Sequence, residues 1–255
     1  MTLPIPPPLS DQDIIAHYTT LDACCEHIVP SGKIRFSPIA RSNDPLENRK
    51  VILGAYHDEN KGITTAKLQQ EFSRIALHQT KILCFTDVQN SKKLDYCFNR
   101  PRMWAQYGDK HRGVALIFRK SEICKLVNAQ FVNSYCNSIS YANFPGLSPF
   151  IHKTDFRADS RSTMEDYVKS HVETLFFRKH PDWGAEFEFR SILINSTHTN
   201  YEFLDFGESL LGIVLGCETP DAYVEAVKSV SQVPIYKLNF SPMEGVMWPI
   251  QVRFA

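Results

Sequence analysis

The stretch that organises this chain lies at residues 182–194 and consists of Asp182-Trp183-Gly184-Ala185-Glu186-Phe187-Glu188-Phe189-Arg190-Ser191-Ile192-Leu193-Ile194. In a β-strand, successive side chains point to opposite faces of the sheet. A strand here would place Glu186, Glu188 and Arg190 on one face. The opposite face would carry core residues, namely Phe187, Phe189 and Ile192. Two like charges on one strand face repel, and each raises the pKa of the other unless Arg190, a ligand or water offsets them.

Two interpretations of this charged face are open. In the functional one, the carboxylates belong to a site at which charge develops. In the structural one, the segment is an exposed edge strand with an Arg-Glu pair, which stabilises a fold by only about 0–1 kcal/mol. Ion-pair networks also shift titration without catalysing anything, so this segment does not decide between the two alone.

The composition predicts one globular domain of the α+β class. The chain has 255 residues, of which 43% are hydrophobic, so it can bury a substantial core. Alternating apolar runs predict strands at 14–19, 34–37, 81–86, 113–118 and 210–216, and helical spacing predicts helices at 21–28, 64–78 and 164–177. We expect a single domain over residues 14–255, preceded by a proline-rich leader at 1–13 that is a flexible arm or a strap.

Charge and cysteine usage exclude several classes of protein. Lys plus Arg and Asp plus Glu each number 28, so no net field draws the chain to nucleic acid or to an anionic membrane. Seven cysteines without a CxxC pair, and without a predicted signal sequence, favour reduced thiols in the cytoplasm. We expect no metal site, since Cys24, Cys25 and His27 lack a second pair of ligands. No apolar run approaches the ~20 residues that span a bilayer.

Several short motifs follow one another along the chain, namely His17-Tyr18-Thr19, Leu21, Ile28, Gly32, Ile34-Arg35-Phe36-Ser37, Asn43-Asp44-Pro45-Leu46-Glu47, Cys84-Phe85-Thr86, Met103-Trp104, Tyr107, residues 110–118, Lys179, Trp183, Glu186, Glu188 and Arg190. Taken in order, these motifs resemble a bacterial family known as domain-of-unknown-function family 2971. Each segment is short, and the match depends on their order and spacing. The basic cluster Arg178-Lys179-His180 also has a structural explanation, because it would suit the dipole at the C-terminus of the 164–177 helix.

That family is similar, more distantly, to the ADP-ribosyltransferase fold, in which a bent, split β-sheet flanked by helices holds NAD in a cleft. The resemblance implies that His17 bonds the adenosine ribose of NAD. It also implies that Glu188 bonds the nicotinamide ribose and stabilises its oxocarbenium-like transition state. We therefore assign Glu188 and Glu186 as catalytic residues. The residues assigned to NAD binding are His17, Tyr18, Thr19, Ser37, Asn43, Trp104, Tyr107 and Arg190.

Trp104 and Tyr107 are the candidates for an aromatic ring that stacks on nicotinamide. They lie three residues apart and would share one face of a short helix. We expect Trp104 to be mostly core and Tyr107, just before Gly108, to face the cleft. A pair of core aromatics is the structural alternative.

Three functions follow as hypotheses. The first is an enzyme that cleaves the nicotinamide-ribose bond of NAD and transfers ADP-ribose to a macromolecule or to water, as a toxin or phage-defence effector would. The second is a catalytically silent module that binds a nucleotide or nucleic acid in a defence system. The third is a metal-independent nuclease that uses Glu186, Glu188 and His17. The sequence contains no GxGxxG, Walker or GxSxG motif that would favour another common chemistry.

Overall fold

The computed structural model describes residues 5–48, 54–55, 63–88, 96–143, 150–194, 201–241 and 246–251. The strands of these residues are β1 (Ile14–Thr19), β2 (Lys33–Pro38), β3 (Gly54–Ala55), β4 (Lys81–Asp87), β5 (Val114–Arg119), β6 (Ser134–Ser138), β7 (Ser140–Tyr141), β8 (Phe150–Ile151), β9 (Arg178–Lys179), β10 (Glu188–Leu193), β11 (Glu202–Asp205), β12 (Leu210–Leu215), β13 (Ile235–Ser241) and β14 (Val246–Gln251).

The α-helices are α1 (Val29–Ser31), α2 (Pro45–Asn48), α3 (Thr65–Phe72), α4 (Pro101–Gln106), α5 (Lys120–Gln130), α6 (Ser160–Ser170), α7 (Val172–Phe176) and α8 (Ala222–Val230). Two π-helical segments extend them, Ala23–Ile28 before α1 and Ser73–Gln79 after α3. Short 3-10 helices lie at Ile39–Arg41, Lys153–Asp155, Pro181–Glu186 and Gly207–Ser209. The predicted helices at 21–28 and 64–78 are therefore present, with π-helical turns in both.

Ten of the described strands form one sheet, which confirms the α+β class. Its main path runs β11-β2-β4-β1-β5-β12-β13-β14, while β10 pairs with β4 and β6 beside this path. The pairings are antiparallel apart from β12 with β13, which are parallel and connected through α8. Two parallel ribbons, β3 with β8 and β7 with β9, lie outside this sheet.

The sheet divides beside β4. One edge of β4 pairs with β10 from Lys81 to Thr86. The other edge is shared, because β2 pairs with Lys81 and Ile82 while β1 pairs with Thr86 and Asp87. Ser37 and Pro38, at the end of β2, pair with β4, whereas residues 33–36 pair with β11. Strands β1 and β2 therefore separate along the middle of β4, which leaves a split in the sheet.

Alternation along the strands directs side chains into separate core clusters. Ile15 of β1 packs with Phe85, Phe118 and the apolar faces of α5 and α8. Ile14, on the opposite face of β1, packs with Trp104 in a second cluster. A third cluster lies between β4, β10 and the helices α3, α6 and α7. The sheet is thus covered by apolar side chains on both faces.

The described part of the leader is a strap. Leu9 is fully buried, the Tyr236 hydroxyl donates a 2.8 Å hydrogen bond to the Pro7 carbonyl, and Arg119 lies 3.0 Å from Asp11. These contacts tie residues 5–13 to β5 and β13, so the flexible-arm interpretation is wrong for this part. Residues 1–4 lie outside the described residues.

The organising stretch differs from the prediction at its beginning. Strand β10 begins at Glu188, whereas Glu186 ends the 3-10 helix Pro181–Glu186. Phe187 between them has a φ of 46°, in the left-handed region. Glu186 therefore does not share a strand face with Glu188. Ile192, four residues beyond Glu188, lies on the Glu188 face and packs in the α3-α6-α7 cluster, so its predicted position on the Phe189 face was wrong.

Within the part of the chain that the structure describes, no helix combines the length and apolar character that crossing a membrane requires.

Candidate functional site

A cavity of about 420 Å³ opens at the split between β1 and β2. Its volume falls in the range of about 300–1,000 Å³ that is typical of small-molecule sites. Most of the residues assigned from the sequence border it, namely His17, Tyr18, Ser37, Asn43, Tyr107, Glu186, Glu188 and Arg190. Thr19 and Trp104 do not border it. The split thus brings residues from distant parts of the chain to one concave surface.

One end of the cavity is a network of buried ion pairs. Lys179 Nζ lies 2.9 Å from Glu186 Oε2 and 2.7 Å from Glu188 Oε2. Arg190 Nε lies 2.7 Å from Glu188 Oε1, and a second nitrogen of this guanidinium lies 2.7 Å from Glu47 Oε1. Each oxygen of Glu188 therefore faces a cation. Three carboxylates and two cations leave one formal negative charge at this end.

These cations determine the ionisation of Glu188. Burial raises the pKa of Glu188, but the positive charges of Arg190 and Lys179 outweigh burial and lower this pKa to about 2. Burial likewise lowers the pKa of Lys179, whereas Glu188 and Glu47 raise it above its ordinary value. Glu188 is consequently a carboxylate and Lys179 an ammonium at neutral pH. A carboxylate with this pKa acts by its charge and as a hydrogen-bond acceptor, and it is too weak a base for proton transfer near neutrality.

Tyr107 connects this network to the opposite wall. Its hydroxyl donates a 2.8 Å hydrogen bond to Glu186 Oε1 and accepts a 2.8 Å bond from Asn43 Nδ2. Burial raises the pKa of Tyr107, which keeps the phenol protonated and able to donate. The ring borders the cavity, so the predicted position of Tyr107 in the cleft is observed.

Trp104 lies in the core. It is fully buried, and its indole nitrogen donates a 2.8 Å hydrogen bond to the Phe98 carbonyl. A Cβ atom added at Gly108 would meet the Trp104 ring at 2.6 Å, which shows how tightly this ring is enclosed. The assignment of Trp104 to NAD binding is not supported by its position, because the helix face that carries it turns away from the cavity.

His17 bridges the split. Its Nδ1 lies 3.0 Å from the Cys84 carbonyl oxygen of β4, at the point where β1 and β2 have separated. Burial lowers the pKa of His17, so the ring is neutral. The Cys84 contact places the hydrogen on Nδ1 and leaves Nε2 as an acceptor. A neutral imidazole here can accept a hydrogen bond from a ligand hydroxyl.

The two residues after His17 are held by the fold. The Tyr18 hydroxyl donates to the Cys97 carbonyl at 2.7 Å, and its ring packs edge-on against Trp104. Thr19 pairs with Val114 of β5. Tyr18 therefore borders the cavity while its ring lies in the core, and the assignment of Thr19 to the site is not supported by its position.

Sequence reasoning left several further cavity residues unassigned, among them Arg35, Arg41, Glu47, Thr86 and Lys179. Lys179 was explained as a charge near a helix terminus, but it lies on β9 and is buried against two carboxylates. A signal was available, since a lysine close in sequence to a Glu-x-Glu pair can neutralise it. The others depend on contacts between segments far apart in the chain.

The fold and cavity define an α+β protein with a split sheet and a buried charge network beside a small-molecule-sized cleft. Residues 103–191 match the model of a family described as "Protein of unknown function (DUF2971)". This match confirms the family resemblance over about a third of the chain, including Tyr107, Lys179 and Glu188. The chain matches no curated protein and no solved structure.

Proposed function

We propose that the cavity binds NAD and that the protein cleaves the bond between nicotinamide and ribose, passing ADP-ribose to a macromolecule or to water. The observation that carries this proposal is Glu188, a fully ionised carboxylate held at the wall of a split-sheet cavity that also contains His17. Cleavage of this bond develops positive charge on the ribose. A fixed negative charge in a water-poor site is the kind of group that stabilises such a transition state.

The polarity of the cavity supports a dinucleotide with a charged ring. The Glu47-Glu186-Glu188 end carries a formal negative charge after its pairing with Lys179 and Arg190. Arg35 and Arg41, which carry positive charge, border the same cavity and are not among the paired groups of this network. NAD has the complementary arrangement, since its nicotinamide ring is cationic and its pyrophosphate is anionic.

Glu188 can contact a ribose hydroxyl without leaving its cations. Each carboxylate offers about four lone-pair sites on two oxygens, and the contacts of Glu188 with Lys179, Arg190 and the Cys84 thiol use three of them. Arg190 and Lys179 hold the carboxylate in position from two sides. Glu186, bonded to both Lys179 and Tyr107, positions these two groups. The Tyr107 ring borders the cavity and could stack there on nicotinamide.

A silent nucleotide-binding module is the alternative, and one observation favours it. Both oxygens of Glu188 are within 2.7 Å of a cation, so part of its negative charge is already neutralised. A site that only holds a ligand would tolerate this neutralisation, whereas catalysis depends on the residual charge. In both proposed functions the ligand binds in this cavity.

Incubation with NAD distinguishes the two functions. We expect the purified protein to release free nicotinamide, which is measured by chromatography, and to bind NAD by calorimetry. Binding without release of nicotinamide, with and without a cell extract as the source of an acceptor, would favour the silent module. Absence of both binding and release would refute the proposed function.

A further inference from the structure

Two arginines that border the cavity share one aromatic ring. The Arg35 guanidinium, on β2, lies 4.5 Å from the centre of the Tyr201 ring, and the Arg41 guanidinium lies 4.8 Å from the same centre. Both arginines border the cavity and both are exposed. Contact with an aromatic face holds a guanidinium in place while its N–H groups stay available.

Neither arginine has a carboxylate partner in the described parts of the chain. Most other arginines there do form such pairs, namely Arg74, Arg112, Arg119, Arg157, Arg161 and Arg190. Two like charges held near one ring repel each other, and an anion between or beside them would remove this repulsion. Their charge also reaches the cavity, since Arg35 adds to the lowering of the His17 pKa that burial causes.

A hydroxyl group completes the set of donors. Ser37 lies two residues from Arg35 on β2, so both side chains project from the same face of the strand. Ser37 also borders the cavity. Two guanidinium forks and one hydroxyl are donors that match the oxygens of phosphate, because a planar guanidinium forms paired hydrogen bonds with phosphate oxygens.

We propose that Arg35, Arg41 and Ser37, with Tyr201 as their support, form a subsite for a diphosphate group, and that the cavity selects nucleoside diphosphates and dinucleotides over nucleosides. This subsite deepens the proposed function, on which it rests for the identity of the ligand as NAD. Its chemistry does not depend on turnover. A diphosphate is favoured over a nucleic acid strand because two arginines meet at one aromatic ring beside one cavity, in a chain with equal numbers of acidic and basic residues.

Calorimetry with ADP, adenosine and inorganic pyrophosphate tests the subsite. We expect the wild-type protein to bind ADP at least about tenfold more tightly than adenosine, and to bind pyrophosphate measurably. Arg35→Gln and Arg41→Gln should each weaken ADP binding by about tenfold and leave adenosine binding unchanged. Arg161→Gln, which alters an exposed arginine on α6 outside the cavity, is the matched control. Tyr201→Leu should weaken ADP binding as well, because the two guanidiniums lose their support.

The outcomes separate this inference from the proposed function. If ADP binding requires both arginines but NAD is not cleaved, the diphosphate subsite stands and the proposed activity fails. If NAD is cleaved while ADP and adenosine bind equally, the subsite is wrong and the activity stands. Displacement of ADP by a short single-stranded oligonucleotide at a lower concentration than by pyrophosphate would overturn the assignment to a diphosphate. Circular dichroism of each variant confirms that it is folded, and a lysine at either position should restore part of the affinity.

Discussion

The ammonium of Lys179 lies 2.7 Å from Glu188 Oε2, and both side chains are almost completely buried. Burial of two charges costs several kcal/mol per ion, and their attraction offsets this cost only when further polar contacts complete the pair. Here Glu186 completes the contacts of Lys179, and Arg190 completes those of Glu188. An apolar pair would stabilise the fold as well or better. The network is therefore better explained by a need for a fixed, ionised carboxylate at the cavity wall than by stability.

Replacement of Glu188 tests its role in catalysis. Glu188→Gln keeps the shape and the hydrogen-bonding capacity but removes the charge, so nicotinamide release should lose about 2.7–4 kcal/mol of transition-state stabilisation, or roughly 10²–10³-fold in rate. NAD affinity should change little. The variant should still fold, because Lys179 retains its ion pair with Glu186 and Arg190 retains its ion pair with Glu47. Glu165→Gln, a carboxylate paired with Arg161 on α6, is the control. Equal rates for Glu188→Gln and the wild type would remove Glu188 from the mechanism.

The same carboxylate should make stability depend on pH in acid. The pKa of Glu188 is lowered from 4.5 to about 2 in the folded protein, so the unfolded state binds more protons between these values. This contribution, about 3 kcal/mol, is fully present above about pH 4.5 and is lost as the pH falls toward 2. Urea unfolding at a series of pH values should show a smaller acid loss for Glu188→Gln than for the wild type. Parallel curves for the two proteins would contradict the lowered pKa.

The organising stretch shows what the sequence can and cannot predict. The strand predicted over this stretch is present from Glu188 onward, and alternation placed Phe189 on the correct face but Ile192 on the wrong one. The same spacing misplaced Glu186, since nothing in a two-residue period reveals that Phe187 adopts a left-handed backbone. Glu186 still reaches the site, through its contacts with Lys179 and Tyr107. Those contacts join elements that only the folded chain brings together.

The position of the cavity was harder to predict from the sequence than the strands were. The apolar runs predicted strands that border it, among them β1, β2 and β4. That β1 and β2 share one edge of β4 is a property of the sheet order, which local patterns do not specify. For this reason Arg35 and Arg41, which belong to ordinary-looking strand and turn segments, gave no signal of their own.

Trp104 and Tyr107 should respond differently to truncation. Trp104→Ala should lower the free energy of unfolding by about 3–5 kcal/mol, because removal of the fully buried indole leaves a cavity in the core. Tyr107→Ala should melt much closer to the wild type and bind NAD poorly. Tyr107→Phe, which keeps the ring but loses the bonds to Glu186 and Asn43, should retain most of the affinity if stacking dominates. Thermal melts and calorimetry measure both effects. A Tyr107→Ala protein that unfolds more readily than Trp104→Ala would reverse the assignment.

His17 should affect substrate recognition more than the chemical step. If its neutral ring accepts a ribose hydroxyl in the ground state and the transition state alike, His17→Ala should raise KM by about tenfold and change kcat little. Because the pKa of His17 is lowered from 6.5, its titration should be missing from the KM profile around and above that pH. His27→Ala, at an exposed position in the π-helical segment before α1, is the control. If instead KM rises as the pH is increased through the ordinary pKa of histidine, the ring is charged when it binds the substrate.

Thr86 carries a buried hydroxyl that the described residues leave without a hydrogen-bond partner. It is fully buried on β4, lies opposite Glu188 in the β10 register and borders the cavity. An unsatisfied buried hydroxyl costs about 1–3 kcal/mol, and a ligand that bonds it recovers this cost only on binding. Thr86→Val should therefore leave the free energy of unfolding unchanged or slightly raised, while NAD affinity falls by about threefold to tenfold.

Thr80 provides the matched comparison for this prediction. It is equally buried, but its hydroxyl donates a 2.9 Å hydrogen bond to the Ile75 carbonyl and does not border the cavity. Thr80→Val should lower the free energy of unfolding by about 1 kcal/mol and leave NAD affinity unchanged. Urea unfolding and calorimetry on both variants thus separate a hydroxyl that serves the fold from one that serves the ligand. If Thr86→Val loses stability as Thr80→Val does and binds NAD as the wild type does, Thr86 is a packing residue and the ligand lies elsewhere in the cavity.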